Sequence, residues 1–364
     1  MKFSCDRDAL GDAVAVATRG VSSRSTLPIL TGVLLKTEEG RLILQATDLE
    51  IAIRHEMDAN VETQGATVVP AKLFADVVRA LPDKDVSFDT SSGALSVTCG
   101  KSAFSLKVLQ PDDFPRFPEI SPEQSFDMPS SVFAEVARQV LKAVSKDETR
   151  PVITGVLMTV DGPTLRMVAT DSYRLAIRDA TLEKASSQTL SAIVPAKALD
   201  EASRVVGAVA GTVTVGITQN QAVFTCGATT FVSRLIEGQF PKYQQLIPAE
   251  SETKLVLDRE AFLASVRRVG LLAQHNASLR LTVGDDKVVL SASTQDLGEA
   301  SEEFETDVAG EAVEIAFNHA YLVDGLSSVG DDEIVLEITS PLKPGLIRAG
   351  DGGFTYLLMP IRIG

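Results

Sequence analysis

Two aspartates in matching surroundings are the first candidates for chemistry: Asp48 in RLILQATDLEIAIR (41–54) and Asp171 in RMVATDSYRLAIR (166–178). A pair of carboxylates can divide general acid and general base work. These two lie 123 residues apart in near-identical segments, so each holds the same place in its own copy of a repeat. An aspartate in such a place accepts hydrogen bonds from its own turn, and that role is expected for both. Gly100-Lys101-Ser102 resembles the end of a phosphate loop, but Leu95 stands where that loop needs its first glycine, and the tripeptide sits inside a strand pattern. His55, His275 and His319 are isolated, with no partner carboxylate at ligand spacing. No catalytic residue, metal site or cofactor is expected.

The repeat extends well beyond the aspartates. Thr31-Gly32-Val33-Leu34 recurs 123 residues on as Thr154-Gly155-Val156-Leu157, and Val69-Pro70-Ala71-Lys72 recurs 125 residues on as Val194-Pro195-Ala196-Lys197. A fainter third copy, VVLSAS (288–293) with Gln295-Asp296, follows LRMVAT (165–170) in the same register. The chain therefore comprises three related units of about 121 residues, too long a period for a solenoid. The expected boundaries are 1–120, 121–246 and 247–364.

Composition narrows the class. No apolar run approaches the roughly 18 residues of a membrane span, and the first residues carry no signal-peptide core, so a cytoplasmic protein is expected. Cys5, Cys99 and Cys226 are too few and scattered for a disulfide framework. Cys99-Gly100 and Cys226-Gly227 occupy equivalent places, which fits small buried strand residues. The acidic stretch Glu299 to Asp307 reads as a solvated strand and loop. A net charge of −15 argues against nucleic acid unless the cations are segregated.

Segregation is what the helices suggest. Each unit reads as helix, strands, helix, strands, with helices expected at 8–19, 71–81, 130–144, 196–207, 258–272 and 318–328, and strands at LPILTGVLLK, RLILQAT, EIAIRHEM and the run GALSVTCGKSAFSLKV. In the second helix of unit one, Phe74, Val77, Val78 and Leu81 form the apolar stripe and leave Lys72 and Arg79 on the far side. Unit two repeats this with Leu199, Ala202, Val205 and Val206 against Lys197 and Arg204. Among the first helices, Arg138 and Lys142 oppose Phe133, Val136, Ala137 and Val140. Arg19 is the equivalent of Lys142, and unit three adds Arg267 and Arg268. Cations kept in register within an acidic chain suit a surface that meets phosphates without reading bases. With no Trp, no stacking platform and no recognition-helix pattern, duplex DNA bound without sequence preference is the fitting ligand.

At this point the motifs resemble a known family. Arg24-Ser25-Thr26-Leu27-Pro28-Ile29-Leu30, Ala169-Thr170-Asp171 with Arg174-Leu175, Phe317-Asn318-His319-Ala320-Tyr321-Leu322 and Leu358-Met359-Pro360-Ile361-Arg362 are similar to the bacterial DNA polymerase III β subunits, the sliding clamps, over the whole chain. The resemblance implies an α+β fold of three clamp domains, each with two helices backed by antiparallel sheets. Two chains would close head to tail into a homodimeric ring around DNA, and Arg24 would join the DNA-facing cations. Implied partners are the polymerase III alpha subunit, the clamp loader, and other polymerases and repair proteins.

The family also implies a groove for linear peptides between domains two and three. Matching positions are Thr170, Ser172, Tyr173, Arg174 and Leu175, with Pro241 and Leu246 on a connector, and Asn318, Tyr321, Leu342, Leu358, Met359, Pro360, Ile361 and Arg362. Such a pocket is apolar with a few directed polar groups. Ser172-Tyr173 stands where Gly-His is common in the family, and Gln245 where a basic residue is. For ring closure, Cys99 to Val108 alternates so that Phe104 and Leu106 share a face, which by resemblance meets Leu271 and Leu272.

A hydrolase or transferase with its site around Asp171 and Arg174 is the competing reading. It requires a nucleophile, base or cofactor loop that the sequence lacks. A protein-only scaffold is the third, and it predicts that reversing Lys72, Arg79, Lys197 and Arg204 is harmless.

Overall fold

The computed structural model describes all residues except 23–25, 123, 188, 274–277, 285, 296, 351 and 363–364. Six helices carry the amphipathic patterns: α1 (Arg7–Ala17), α2 (Ala71–Ala80), α3 (Ser130–Leu141), α4 (Ala196–Gly207), α5 (Arg259–Val269) and α6 (His319–Leu326). Local chemistry starts them where the sequence suggests. The Asp6 side chain accepts from Ala9 N at 2.8 Å and Asp258 from Ala261 N at 2.7 Å, while Pro70 occupies the N-cap of α2. Helices α1 and α5 each end in a single 3₁₀ turn, Thr18–Gly20 after α1 and Gly270–Leu272 after α5. Arg19, Leu271 and Leu272 therefore lie on these turns and not on the α-helices.

Three differences from the expected elements have simple causes. A short strand that the helix-first reading leaves out precedes the first helix of every repeat, Lys2–Cys5, Gln124–Pro129 and Thr253–Asp258, and the last alternates strictly between buried and exposed residues. Pro28–Thr31 is a 3₁₀ turn, so the strand expected from Leu27 begins at Gly32. The run from Gly93 to Val108 is two strands, Leu95–Cys99 and Ser102–Leu106, folded back at Gly100 with φ +57°.

The chain forms two compact units. The first is Met1–Ala134 with Glu201–Leu235, and the second is Glu135–Asp200 with Ile236–Gly364. The sheets explain why these do not coincide with the repeats. In unit one an antiparallel eight-stranded sheet runs, edge to edge, Gln124–Pro129, Thr212–Ile217, Gln221–Cys226, Thr229–Arg234, Ile51–Asp58, Arg41–Thr47, Gly32–Glu38, Gly65–Pro70. Its middle joins the first repeat to the second, with Val232 opposite Ala52. A five-stranded sheet completes unit one, with Asn60–Thr63 and Ser102–Leu106 as its two edge strands. α1 and α2 pack side by side on these strands over a core containing Leu10, Val14, Leu44, Phe74, Phe88 and Val97.

Unit two repeats the device. Its nine-stranded sheet joins the second repeat to the third by pairing Arg174–Thr181 with Phe354–Leu358, where Leu357 lies opposite Leu175. The pairings Val232–Ala52 and Leu357–Leu175 are repeat equivalents. A four-stranded sheet has Gly298–Glu305 as an edge strand. This is the acidic stretch, half of it exposed in alternation as a solvated strand should be. Among the described residues no helix is long and apolar enough to cross a membrane.

Candidate DNA-facing helices and peptide groove

The buried stripes of the helices are those the sequence predicts. Phe74, Val77 and Val78 on α2, Phe133, Val136, Ala137 and Val140 on α3, and Leu199, Ala202, Val205 and Val206 on α4 are all buried. Lys72, Arg79, Arg138, Lys197, Arg204 and Arg267 are exposed on the opposite faces. Arg79 spans only to Asp76 one turn back, at 3.2 Å with 78% of its side chain exposed, a pair that water screens to almost nothing.

Lys142 is more enclosed, and its Nζ donates to Ser327 Oγ at 2.8 Å. Burial, reinforced by Arg138, Arg267 and Arg174 nearby, lowers its pKa against the opposing pull of Asp324. Arg19 holds Glu201 at 2.9 Å on the surface. Arg24 lies outside the described residues. Arg268 is engaged differently from the rest of the set. Its Nε and Nη2 reach the two oxygens of Glu302 at 2.6 and 2.7 Å, so its charge clamps α5 to the edge strand instead of standing free.

The aspartates behave as turn residues. Asp171 Oδ1 accepts from Tyr173 N and Arg174 N, both at 2.9 Å, and Asp48 Oδ1 accepts from Glu50 N at 3.0 Å and Ile51 N at 2.8 Å. Thr170 and Thr47 Oγ1 each donate across their turn, to Arg174 O and Ile51 O, at 2.7 Å. Both turns force a left-handed residue, Ser172 at φ +80° and Leu49 at φ +76°.

In unit two the turn is fixed by a buried guanidinium. Arg174 donates to Asp171 Oδ2 at 3.0 Å, Asp324 Oδ2 at 2.5 Å and Tyr356 Oη at 3.3 Å, and its guanidinium carbon stacks 4.3 Å from the Tyr321 ring centre. Burial works against its charge, but Tyr356, Asp324 and Asp171 outweigh it and raise the pKa further. Burial likewise pushes the Tyr356 phenol up, and that hydroxyl donates to Tyr321 O at 3.1 Å.

Tyr173, Leu246, Leu342 and Met359 are exposed apolar side chains, and Ser172 and Pro241 are exposed as well. Met359 N donates to Tyr173 O at 2.9 Å, holding the terminal segment to the turn. Leu246 and Met359 line a hollow of about 610 Å³ with Ile247, Pro248 and Pro344. Pro360 is half-buried.

Several of the predicted contact positions also serve as supports. Thr170, Leu175 and Leu358 are buried, Leu175 within a cluster with Val168, Tyr243 and Leu357. Asn318 caps α6 by accepting from Tyr321 N at 3.2 Å. Ile361 and Arg362 turn away to a separate polar hollow beside Ser278 and Arg280. Arg150 is a residue sequence reasoning missed: its Nη1 donates to Ser172 Oγ at 2.9 Å, and only its place before Pro151 marked it.

At the edge strand Ser102–Leu106, Phe104 is 37% exposed, and Leu271 is 67% exposed on its 3₁₀ turn. Leu106, on the same strand, lies opposite Leu95 and packs into its own core. The thiols are inert by position: burial pushes Cys5 up to about 12 and raises Cys226, and Cys99 Sγ contacts Pro82 O.

A tandem repeat with amphipathic helices on antiparallel sheets and continuous strand pairing across the repeats is the architecture of a DNA-clamp type of protein. Profiles of the DNA polymerase III beta subunit match in three consecutive pieces, the N-terminal domain at residues 1–118, the central domain at 127–242 and the C-terminal domain at 244–362. A beta sliding clamp of Streptomyces coelicolor is 34% identical over the full length of both chains, and one of Staphylococcus aureus is 35% identical over 100% of this chain and 99% of that one. A crystal structure of the DNA polymerase sliding clamp from Bacillus subtilis superposes with a TM-score of 0.96 at 30% identity, covering both chains fully. The griselimycin-bound DNA polymerase III subunit beta of Pseudomonas aeruginosa does so at 0.96 and 29%, again over both whole chains. The chain belongs to the DNA polymerase III beta subunit family, the sliding clamps.

Proposed function

We propose that this chain works as a sliding clamp in which two copies close head to tail around duplex DNA, with the helix cations facing the phosphates and the sheets behind. Processivity then comes from topological linkage, so the contacts with DNA stay weak and mobile. The role is non-catalytic and is exercised in the cytoplasm. The functional domains are 1–120, 121–246 and 247–364. Supporting this reading most directly is the register of Lys72 and Arg79 with Lys197 and Arg204, exposed opposite buried stripes in an otherwise acidic chain. Cations so placed neutralise backbone phosphates regardless of sequence.

The groove around Tyr173, Leu246 and Met359 takes linear peptides from the polymerase III alpha subunit, the clamp loader, and other polymerases and repair proteins. Exposed apolar side chains around a rigid, hydrogen-bonded turn suit that use. Phe104 and Leu271 carry the dimer contact, since an unpaired edge strand is a liability unless another chain covers it. Retention on nicked circular DNA after loader-driven loading, compared with the same DNA linearised, tests the whole reading. Loss from the linear form alone at rising salt is expected, and equal, salt-sensitive loss from both would overturn it.

A further inference from the structure

The junction between the first and second repeats carries a hollow of about 180 Å³, lined by Thr47, Leu49, Glu50, Ile51 and Ala52 of the turn, the Phe114–Pro118 connector and strand residues Gln221, Val232 and Arg234. It is the register equivalent of the groove described above. Leu49, Glu50 and Ile51 stand where Ser172, Tyr173 and Arg174 stand, and Phe114-Pro115-Arg116-Phe117 stands for Phe240-Pro241-Lys242-Tyr243. The tether is also repeated, because Arg234 N donates to Glu50 O at 3.0 Å as Met359 N does to Tyr173 O.

The side chains, however, are different and are placed for use. Leu49 is 48% exposed and held at φ +76°, a conformation costing a non-glycine residue on the order of 1–2 kcal/mol. A leucine held there, half in water at the rim of a hollow, has no structural need to be apolar. Arg54 stacks on Phe117 at 5.1 Å and fixes the connector against the sheet. Arg116 is exposed and takes part in no ion pair among the described residues. Arg234 reaches Glu50 only at 3.9 Å, with both side chains about two-thirds exposed. The rim thus has two guanidiniums against one carboxylate on a chain whose net charge is −15.

We infer that this first junction is a second peptide-docking groove, and that its occupant is a linear acidic segment presenting leucine or phenylalanine to the hollow and carboxylates to Arg116 and Arg234. Ile51 in place of Arg174 makes the floor apolar where the other groove has a buried ion network. The two grooves therefore differ in preference, and one protomer can hold two different peptide tails. The mode of binding is that of the groove proposed above, but the site and its residues are separate.

The test uses the full-length chain and a fluorescein-labelled octapeptide, DDLELFDD, with a version carrying benzoylphenylalanine at the aromatic position for photocrosslinking. Two sites per chain are expected, with crosslinks at 45–52 or 114–118 from one of them. Leu49→Glu with Arg116→Glu weakens that site at least tenfold, Arg116→Lys preserves it, and Leu246→Glu with Met359→Glu leaves it unchanged. Rising salt weakens the first-junction site more than the second. Crosslinks confined to other segments, or no saturation at the first junction at millimolar peptide, would overturn the inference while leaving the other groove standing. Loss of the second-junction site alone would sink that reading and leave this one. Displacement of the probe from the first junction by a single-stranded oligonucleotide but not by unlabelled peptide would also overturn it.

Discussion

Arg174 and Asp324 lie 150 residues apart in sequence and meet with Nη1 donating to Oδ2 at 2.5 Å. Asp324 belongs to α6, whereas Arg174 begins the strand after the groove turn, so one ion pair ties a helix to the residues that shape the groove. Asp324→Ala leaves a nearly buried guanidinium with only Asp171 and Tyr356. Since Asp324 is itself about one-third exposed, the loss is expected to be about 1–3 kcal/mol and not the full cost of breaking a buried pair. Calorimetry of the variant should show a transition lowered by several degrees, with peptide affinity at the Tyr173 groove reduced as the turn loosens. An unchanged melting profile would mean that the pair is not structural.

The Arg268–Glu302 clamp makes a prediction about pH. Hydrogen bonds from Arg268 and Ser265 hold the Glu302 carboxyl down to about 2. A depressed carboxylate stabilises the folded state fully above its unfolded value and loses that contribution as pH falls from there through the folded value. The melting temperature of the wild type should thus fall more steeply between about pH 4.5 and 2 than that of Glu302→Gln. Parallel curves would show the clamp contributes nothing. Arg268→Ala should in addition leave DNA retention close to wild type, because that guanidinium is engaged by the sheet.

The cysteines provide a simple check on the packing. With the Cys5 thiol pushed up to about 12 by burial, its thiolate fraction at pH 8 is on the order of one in ten thousand. Cys99 and Cys226 are buried as well. Native protein should show no fast-reacting thiol towards an aromatic disulfide reagent, and all three cysteines should react after denaturation. A rapid stoichiometric phase in native buffer would contradict the core described around Cys5.

These cases mark what the sequence could and could not disclose. The helices and their basic faces were legible because a 3.6-residue period shows within a dozen residues, as in α2, and the repeat register checked each assignment. The roles of Asp48 and Asp171 followed from their equivalence. Long-range partners were not legible. Nothing local to Arg268 announces Glu302, nothing near Ala52 announces Val232 some 180 residues later, and Arg174 meets Asp324 only through the folded sheet. Degree of burial is not legible either: alternation gives the face that Leu106 shares but not how far the core extends toward its edge, and the motifs that contain Asn318, Leu175 and Leu358 report position and not which side chains are left in solvent.

For the dimer, Phe104→Arg with Leu271→Lys places cations at two exposed apolar positions, with no buried group disturbed. Sedimentation should show monomers, and the melting temperature should stay within a few degrees of wild type. Leu106→Ala, by contrast, removes a core side chain and is expected to cost about 2–4 kcal/mol of stability before it affects association. Dimers persisting in the double variant would remove these residues from the interface.

The cations decide between a DNA clamp and a protein scaffold. Reversing Lys72, Arg79, Lys197 and Arg204 to Glu changes only exposed side chains, so folding and sedimentation should survive. Each lost phosphate contact reduces the dependence of log affinity on log salt by about 0.9. Direct binding of duplex DNA should therefore weaken, with a shallower salt slope, while retention of a loaded ring on a closed circle falls less because linkage does not depend on those contacts. A slope unchanged by all four reversals would show that these helix faces do not meet DNA. In that case the register between Lys72 and Lys197 would record only the duplication of a solvated surface.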